Sequence, residues 1–362
     1  MATGTTSYGD ISPRTAAYVV RDLLKRGMPF LVLEKYGQTK PIPKNSTKSV
    51  KFRRYFLDTD GAFASTYFGP ATYYTTDAQN NFKEASGSGS KRLSEGVTPD
   101  ASKLESKDID ATLVQYGDLV TLSDIVMDTH EDPILQEAID ILGEQAAIII
   151  EKSRFNILKA GSQVAYANDS ARASVNTVFS IGDQRKITRA LKRNLAKPIT
   201  SIVKSTPSYG TKAIMPSFIA ICHPDLEYDI SSVTGFVSVA DYGNVTPEEG
   251  EIGKIGDCRY ILSTMITPWA GAGASGGTNV LETSSAADIY PILYFARDAF
   301  ACVPLKGKDS ITPTVVNAKA SDSDPLAQRT HVGWKSMTTT IILNDAFMYR
   351  LEVACTDNDN LT

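Results

Sequence analysis

The sequence contains few of the residues from which metal sites and disulfide frameworks are built. Its 362 residues include three histidines and four widely spaced cysteines with no Cys-x-x-Cys pair: Cys222, Cys258, Cys302 and Cys355. Zinc sites and small disulfide-stapled folds need such residues at short, repeated spacings. We therefore predict no metal and no cofactor. We expect the four cysteines to be buried and reduced, as in a reducing cytosol.

Long apolar runs and targeting signals are also missing. Residues 146–150 form one of the longest apolar runs, whereas a membrane-spanning helix needs roughly 18 residues. Residues 1–7 carry neither the basic region nor the apolar region of a secretory signal. The composition, with 42% hydrophobic and 22% charged residues, is typical of a folded soluble protein, and the length predicts about two domains. We expect no membrane partner.

Signs of catalysis are equally sparse. Residues 271–277 match both G-x-G-x-x-G and G-x-S-x-G, but each motif functions between a strand and a helix. Here Pro268 and Trp269 precede the glycines and a polar stretch follows, so we interpret the segment as a loop between strands. Cys222 and His223 are neighbours in a predicted strand, where consecutive side chains point to opposite faces. We predict no catalytic residue; the alternative is a hydrolase or oxidoreductase that uses residues 271–277.

The net charge of −4 is the sum of two opposite parts. Residues 1–55 carry eleven basic and three acidic residues, a charge of +8, and the other 307 residues carry 26 basic and 38 acidic residues, a charge of −12. This segment has too few apolar residues among its charges to form a hydrophobic core of its own. It is therefore predicted to be an arm. A basic, flexible arm is suited to sequence-neutral, salt-sensitive contact with phosphates.

Periodicity predicts one long helix and one long hairpin. Apolar residues spaced by three and four begin after Asp132 and Pro133 and end near residue 160, which predicts a helix of about 28 residues packed against a sheet. Strand-like pieces at residues 50–57 and 66–75 lie before the Gly/Ser segment 85–92, which predicts a hairpin with a mobile tip. Its two interpretations are a solvated surface loop and an arm that reaches a neighbouring molecule.

The rest of the chain predicts a basic helix followed by strands. Residues 183–197 place six Lys and Arg opposite an apolar face, and Pro198 is expected to end this helix. The basic face is a solvated surface or a contact for an acidic neighbour or nucleic acid. Without a regular βαβ alternation or an internal repeat, the fold class is α+β. Strands are predicted at residues 217–222, 257–267, 290–295, 300–305, 335–343 and 347–354.

An ordered set of segments resembles a known family. In chain order they are residues 93–100, 115–118, 122–124, 132–133, 142–146, 216–225, 250–256, 289–291 and 332–335. They resemble the major capsid proteins of tailed bacteriophages, in particular the group named after the coliphage N-four coat protein. The resemblance covers roughly residues 90–350.

The resemblance implies the Hong Kong 97-type capsid fold and a structural role in the virion. Its parts would be an N-terminal arm at residues 1–50, an extended loop at 51–115, a peripheral domain at 116–200 and 311–362 with the spine helix at about 133–160, and an axial domain at 201–310. The function implied is a major capsid protein that self-assembles into an icosahedral head around double-stranded DNA, and not an enzyme. An encapsulin-type compartment of the same fold is the alternative.

The resemblance also implies partners. They are further copies in hexamers and pentamers, a separate scaffolding protein, a portal, a decoration protein and packaged DNA contacted without sequence preference, with assembly in the host cytoplasm. Because the arm begins almost at Met1, we expect no built-in scaffolding extension, and no motif predicts a covalent cross-link. Candidate residues facing other subunits or DNA are Arg14, Arg21, Lys25, Arg26, Lys51, Arg53, Arg54, Lys83, Lys91, Arg92, Glu95, Arg185, Arg189 and Arg193.

Overall fold

The computed structural model of the chain describes thirteen stretches of it. They are residues 31–42, 47–58, 74–76, 82–84, 96, 103–125, 134–168, 171–199, 216–242, 247–275, 279–305, 311–320 and 326–357. The predicted arm residues before 31, the Gly/Ser segment 85–92 and the capping pair 132–133 lie outside these stretches. So do the candidate residues Arg14, Arg21, Lys25, Arg26, Lys91, Arg92 and Glu95, and the side chains of Arg54 and Lys83.

The described residues contain three α-helices and eighteen strands. The helices are α1 (Ile134–Leu158), α2 (Ile181–Arg193) and α3 (Glu227–Ser231). The strands are β1 (Gln38–Thr39), β2 (Ser49–Asp58), β3 (Tyr74–Thr76), β4 (Phe82–Glu84), β5 (Lys103–Thr112), β6 (Val114–Ser123), β7 (Val164–Tyr166), β8 (Phe218–Cys222), β9 (Phe236–Ser238), β10 (Glu251–Ile255), β11 (Cys258–Leu262), β12 (Glu282–Thr283), β13 (Ala286–Ala287), β14 (Ile289–Phe295), β15 (Phe300–Pro304), β16 (Ile311–Val316), β17 (Arg329–Ile342) and β18 (Met348–Ala354).

The long helix α1 joins the two main sheets of the molecule. Its apolar stripe is buried, and the stripe changes partner along its length. Ile139, Leu142 and Ile150 pack with Val332 and Trp334 of β17, on the five-stranded sheet. Toward the C-terminal end, the helix packs into a second cluster on the seven-stranded sheet, through Phe155 and Leu158. The predicted helix near residues 133–160 is therefore confirmed as a spine of 25 residues.

The seven-stranded sheet is covered on both faces. Its order is β7-β18-β14-β8-β11-β10-β9, and every residue of β8 and β14 is buried. On one face Tyr294 and its neighbours pack beneath α2 and α3. On the other face Leu293 and its neighbours pack against the end of α1. Strands buried on both faces show nearly continuous apolar sequence, which explains why β8 and β14 were predictable.

The five-stranded sheet is built around β17. This strand pairs with β6, β15 and β16, and β15 also pairs in parallel with β1. Side chains on one face of β17 pack under α1, among them Val332 and Trp334. The opposite face of β17 is covered near β15, where Val303 and Ile42 pack with the base of the β2–β5 hairpin. We call the rest of this face, which the described residues leave exposed, the outer face.

The predicted hairpin is present in part. The predicted piece 50–57 is the longer strand β2, whereas the described end of the predicted piece 66–75 is β3, which pairs with β4 and not with β2. β2 and β5 pair antiparallel over ten residues, from Ser49 opposite Thr112 to Asp58 opposite Lys103. Antiparallel strands held in continuous register form a single extended ribbon. The returning strand β5 was not predicted, because its residues are mostly charged and polar.

Both predicted boundaries of the basic helix are wrong. Helix α2 begins at Ile181 rather than at residue 183, because the Ser180 side chain accepts a hydrogen bond from the backbone N–H of Asp183. It ends at Arg193, well before Pro198, because Leu195 adopts a left-handed backbone with φ 54°. Leucine rarely takes that conformation, so the sequence pattern pointed to the proline as the stop.

Candidate interaction surfaces

The β2–β5 hairpin carries charged pairs across its strands. Arg53 donates two hydrogen bonds to the Asp108 carboxylate, from Nε at 2.7 Å and from Nη2 at 2.8 Å. Lys51 Nζ lies 3.8 Å from Asp110 Oδ1. The hydrogen bonds from Arg53 lower the pKa of Asp108, and the charges of Arg53 and Lys51 add to this effect. These two predicted contact residues are therefore engaged within the hairpin, where they support its register.

The outer face of the five-stranded sheet exposes apolar side chains. Leu119 of β6 is 59% exposed and Val316 of β16 is 52% exposed. Leu119 lies opposite Gly333 of β17, where an added Cβ would come within 2.9 Å of Leu119 Cδ1 and 2.8 Å of the Asp118 backbone oxygen. Because Gly333 has no side chain, the side chain of Leu119 can lie over β17 at this position. Together Leu119, Gly333 and Val316 form what we call the outer-face patch.

The edge of this sheet is also open. Among the described residues, β6 pairs with β17 alone, so its other edge has no partner strand there. Beyond its end, Ile125 is 66% exposed. An unpaired edge next to exposed apolar side chains is a surface suited to another chain.

A buried carboxylate of the spine helix holds the end of the N-terminal segment. Glu151 Oε1 accepts hydrogen bonds from the backbone N–H of Val32 at 2.9 Å and of Leu33 at 2.7 Å. Arg154 joins Glu151 at 3.3 Å and Glu34 at 3.0 Å. Burial raises the pKa of Glu151, while Arg154 and the two N–H groups act in the opposite direction. The basic arm is therefore attached to the body through residues 32–34.

A second buried network surrounds the indole of Trp269. The fully buried Glu352 accepts hydrogen bonds from Arg172 at 2.7 and 2.8 Å and from Arg350 Nε at 2.8 Å. Arg172, Lys159 and Arg350 lie over the Trp269 ring at 3.7, 4.4 and 5.6 Å from its centroid. Burial lowers the pKa of Lys159, and the two guanidinium charges lower it further. This network joins the end of α1 to β18.

The exposed face of α2 is strongly basic. Arg185, Arg189 and Arg193 lie at intervals of four residues and are exposed, so they form one row along the helix. The neighbouring lysines have partners, since Lys186 pairs with Asp183 at 2.9 Å and Lys192 pairs with Asp257. A cleft of about 930 Å³ runs beside the row. Other residues that line this cleft are Ile181, Gln184, Thr188, Thr234, Gly235, Ile255 and Gly256.

The loop that matches two enzyme motifs has a structural role. The backbone N–H of Gly273 donates to Ala287 O and that of Ala274 donates to Val175 O, each at 2.9 Å. In the described residues on either side of the loop, Trp269 forms a β-bridge and strand β12 follows, so the required strand–turn–helix context is not there. Cys222 is fully buried, and this burial raises the pKa of its thiol well above the usual range.

Other ligand sites are not found in the described part of the chain. It holds no group of three His, Cys, Asp or Glu side chains that could bind a metal ion. No helix of the described residues is long and apolar enough to cross a membrane. The four cysteines are free and buried, as expected.

The predicted contact residues fall into separate elements. The structure brings Arg185, Arg189 and Arg193 together on α2 and places Lys51 and Arg53 in the hairpin. The sequence interpretation missed two buried carboxylates that link separate elements. Glu151 accepts hydrogen bonds from the N-terminal segment, and Glu352 accepts them from Arg172 and Arg350. Glu151 lies on the buried stripe of α1, four residues after Ala147 and one after Ile150. A charged residue within an apolar stripe was the available signal.

The chain is similar to phage capsid proteins in sequence and in fold. Residues 106–350 match the family model described as phage capsid protein. The structure resembles the capsid of Ralstonia phage GP4 with a TM-score of 0.60 at 12% identity, covering 91% of this chain and 90% of that chain. It resembles the capsid of the cyanophage P-SCSP1u with a TM-score of 0.55 at 15% identity, covering 90% of this chain and 88% of that chain.

A third structure extends the same similarity. The head of Helicobacter pylori bacteriophage KHP40 matches with a TM-score of 0.54 at 12% identity, covering 90% of this chain and 89% of that chain. No curated protein matches the sequence significantly. The shared fold is the Hong Kong 97-type capsid fold, and the predicted α+β class with a spine helix is confirmed.

Proposed function

Because the chain belongs to the phage capsid protein family, whose model matches residues 106–350, we propose that its exposed surfaces join copies of it into an icosahedral head around double-stranded DNA. It is a major capsid protein of the virion, and the family is structural rather than enzymatic. The alternative that used the glycine-rich loop as an active site is therefore wrong. The function proposed for the chain is therefore self-assembly into a shell.

The outer-face patch is the observation that supports contact between copies most directly. Leu119 and Val316 are exposed beside an open sheet edge, while the same chain extends a ten-residue hairpin ribbon. We propose that the hairpin of one copy lies on the outer face of the next. Repetition of one modest contact around a closed lattice yields a stable shell, because each copy is held by several neighbours.

The basic arm is proposed as the contact with packaged DNA. Residues 1–55 carry a charge of +8, and residues 32–34 are fixed to the spine helix by Glu151 and Arg154. An anchored basic segment neutralises phosphates without reading sequence, so binding should weaken steeply with salt. The rest of the chain carries a charge of −12, so we propose its acidic surface as a second binding partner for the arm of a neighbouring copy. Deleting residues 1–30 should remove the salt-sensitive part of DNA binding.

We propose the division into arm (1–50), extended loop (51–115), peripheral domain (116–200 and 311–362) and axial domain (201–310). The β2–β5 ribbon supports the extended loop, and the packing of α1 on β17 supports the peripheral domain. Strands β7 and β18 pair into the seven-stranded sheet, so boundaries drawn by sheet would assign them to the axial domain.

Further partners are proposed from membership of the family. They are hexamers and pentamers of the chain, a separate scaffolding protein, a portal and a decoration protein, with assembly in the host cytoplasm. The four free, buried cysteines are compatible with a reducing compartment. Within the family, we propose that the chain belongs to the group named after the coliphage N-four coat protein. Mass spectrometry of purified particles would identify the accompanying proteins.

Negative-stain microscopy of the protein, expressed with and without the other head proteins, tests the proposed function. We expect icosahedral shells, and we expect Leu119→Asp to abolish them while leaving a folded subunit. A matched control is Thr264→Asp, which adds the same charge at an exposed polar residue in the turn after β11, away from the outer face, and should assemble normally. Small compartments that enclose an enzyme would favour the encapsulin alternative, and an absence of particles under all conditions would contradict a shell protein.

A further inference from the structure

The row of arginines on α2 has no ion-pair partner in the part of the chain that the structure describes. Arg185, Arg189 and Arg193 repeat at about 6 Å along the helix axis, at 1.5 Å per residue. Within the described residues none of the three forms an ion pair, whereas Lys186 and Lys192 are each matched by an aspartate. The row therefore presents about three uncompensated positive charges at one surface. An uncompensated row beside a cleft is suited to an acidic partner.

The adjoining cleft has the shape and lining of a site for a side chain. Its volume is about 930 Å³, and Ile181 and Ile255 provide apolar lining below the charged rim. One wall is formed by Gly235, whose φ is +95° and whose added Cβ would meet no atom within 4 Å. An apolar floor with a cationic rim suits a protruding aromatic group that is flanked by carboxylates.

Such a group lies at helix α3, which packs on the same seven-stranded sheet as α2. The turn and helix α3 expose Asp225, Glu227 and Tyr228, which we call the acidic patch. Tyr228 is 47% exposed, which is high for an aromatic side chain in a folded domain. Asp225 accepts a hydrogen bond from Tyr290 at 2.7 Å, but Glu227 forms no ion pair among the described residues. Asp225 also lies 3.0 Å from His223 Nδ1, so Glu227 is the carboxylate of the acidic patch that lacks an ion-pair partner among the described residues.

Both features lie on the same side of the seven-stranded sheet. Ile187 and Leu191 of α2 and Leu226 and Ile230 at α3 are buried in one core cluster. A polyanion laid along this side would approach the acidic patch as well as the arginines, which disfavours DNA as the occupant. Each copy of the chain carries one arginine row and one acidic patch. In an assembly of copies, every arginine row can therefore pair with the acidic patch of a neighbouring copy.

We propose that the arginine row and cleft of one copy receive the acidic patch of the next copy in the shell, with Tyr228 in the cleft and Glu227 among the arginines. The contact is heterologous, since two different patches meet, and it therefore continues from copy to copy around a ring. This inference rests on the assembly of the chain into a shell. It is separate from the contact between the hairpin and the outer-face patch.

Charge reversal tests the contact. Arg189→Glu and Glu227→Arg should each lower the yield of sedimenting shells by at least about tenfold, because like charges then face each other. The double variant should recover most of the wild-type yield. Lys319→Glu, an exposed charge reversal on the segment after β16, is the matched control and should assemble normally. Circular dichroism of each variant establishes that the subunits fold.

The outcomes separate this contact from the proposed function. If the wild-type chain forms no shells, the proposed function fails; if Arg189→Glu assembles like wild type, the contact between copies is wrong. Normal shells of Arg189→Glu that hold less DNA would overturn the proposal in favour of nucleic acid. A short bis-maleimide linker applied to shells of the Arg189→Cys/Glu227→Cys variant should give a ladder beyond the dimer, since the native cysteines are buried. A pattern that stops at dimers would contradict the heterologous arrangement.

Discussion

Every residue of β8 and β14 is buried in the seven-stranded sheet, whereas β6 of the five-stranded sheet is exposed over most of its length. The first sheet has helices over one face and the end of the spine over the other. The second has α1 on one face and an outer face that the described residues cover only near the hairpin. The described residues cover the first sheet on both faces, whereas they leave part of one face of the second sheet exposed.

Charge follows the same division. The seven-stranded sheet includes Glu352 and Arg350, a buried pair that is further held by Arg172. The hairpin beside the five-stranded sheet carries its ion pairs in the open, with the Lys51 and Asp110 side chains each more than half exposed. Buried charges depend strictly on their partners, while exposed pairs are screened by water. Removing a charge should therefore have very different consequences in the two regions.

The largest effect is expected for Glu352→Gln in the seven-stranded sheet. The substitution leaves the guanidinium groups of Arg350 and Arg172 without a counter-charge beside Lys159, and should lower the free energy of unfolding by about 3–5 kcal/mol. Denaturant titration followed by circular dichroism measures this loss. Asp110→Asn, which removes the exposed partner of Lys51 in the hairpin, should cost less than about 1 kcal/mol. Equal losses would show that burial does not distinguish the two pairs.

A leucine in each sheet gives the second comparison. Leu293→Ala, in the fully buried β14, should lower the free energy of unfolding by about 2–5 kcal/mol through loss of apolar burial and the cavity that remains. Leu119→Ala, on the outer-face patch, should change it by less than about 0.5 kcal/mol but should reduce the yield of shells. Unfolding titrations and sedimentation of assembled particles measure the two effects. If Leu119→Ala destabilised the subunit as Leu293→Ala does, the outer face would not be an open surface.

The sequence was most informative where the fold is completed within one chain. The α1 stripe and the apolar runs of β8 and β14 predicted their elements closely, because burial imposes a periodicity that a sequence shows directly. The charged β5 and the exposed β6 were not predicted as strands. Their strand structure depends on pairing with β2 and β17, which lie far away in the sequence.

The contact surfaces were predictable only in part, because some of them are formed by residues that are distant in the sequence. The basic row of α2 was visible from spacing alone, since an exposed helix face is a local feature. The outer-face patch was not, because Leu119, Gly333 and Val316 come together through three strands from distant parts of the chain. Glu151 and Glu352 were missed because the partners that make a buried carboxylate acceptable are also distant in sequence.

The smallest expected effect concerns the exposed hairpin and its pH dependence. Arg53 holds the pKa of Asp108 below its usual value of about 4, so the pair favours the folded hairpin above that pH and loses this contribution as the pH falls through the lowered pKa. Arg53→Gln should return the pKa of Asp108 toward its usual value, as measured by NMR titration of the carboxyl carbon. Lys51→Gln, whose charge acts on Asp108 more weakly, should move it less.

Because the Arg53–Asp108 pair is solvated, hydrogen exchange of the hairpin amides should respond to acid while the amides of β14 do not. A matching response in β14 would mean that hairpin and core open together, and the two regions would then be a single cooperative unit.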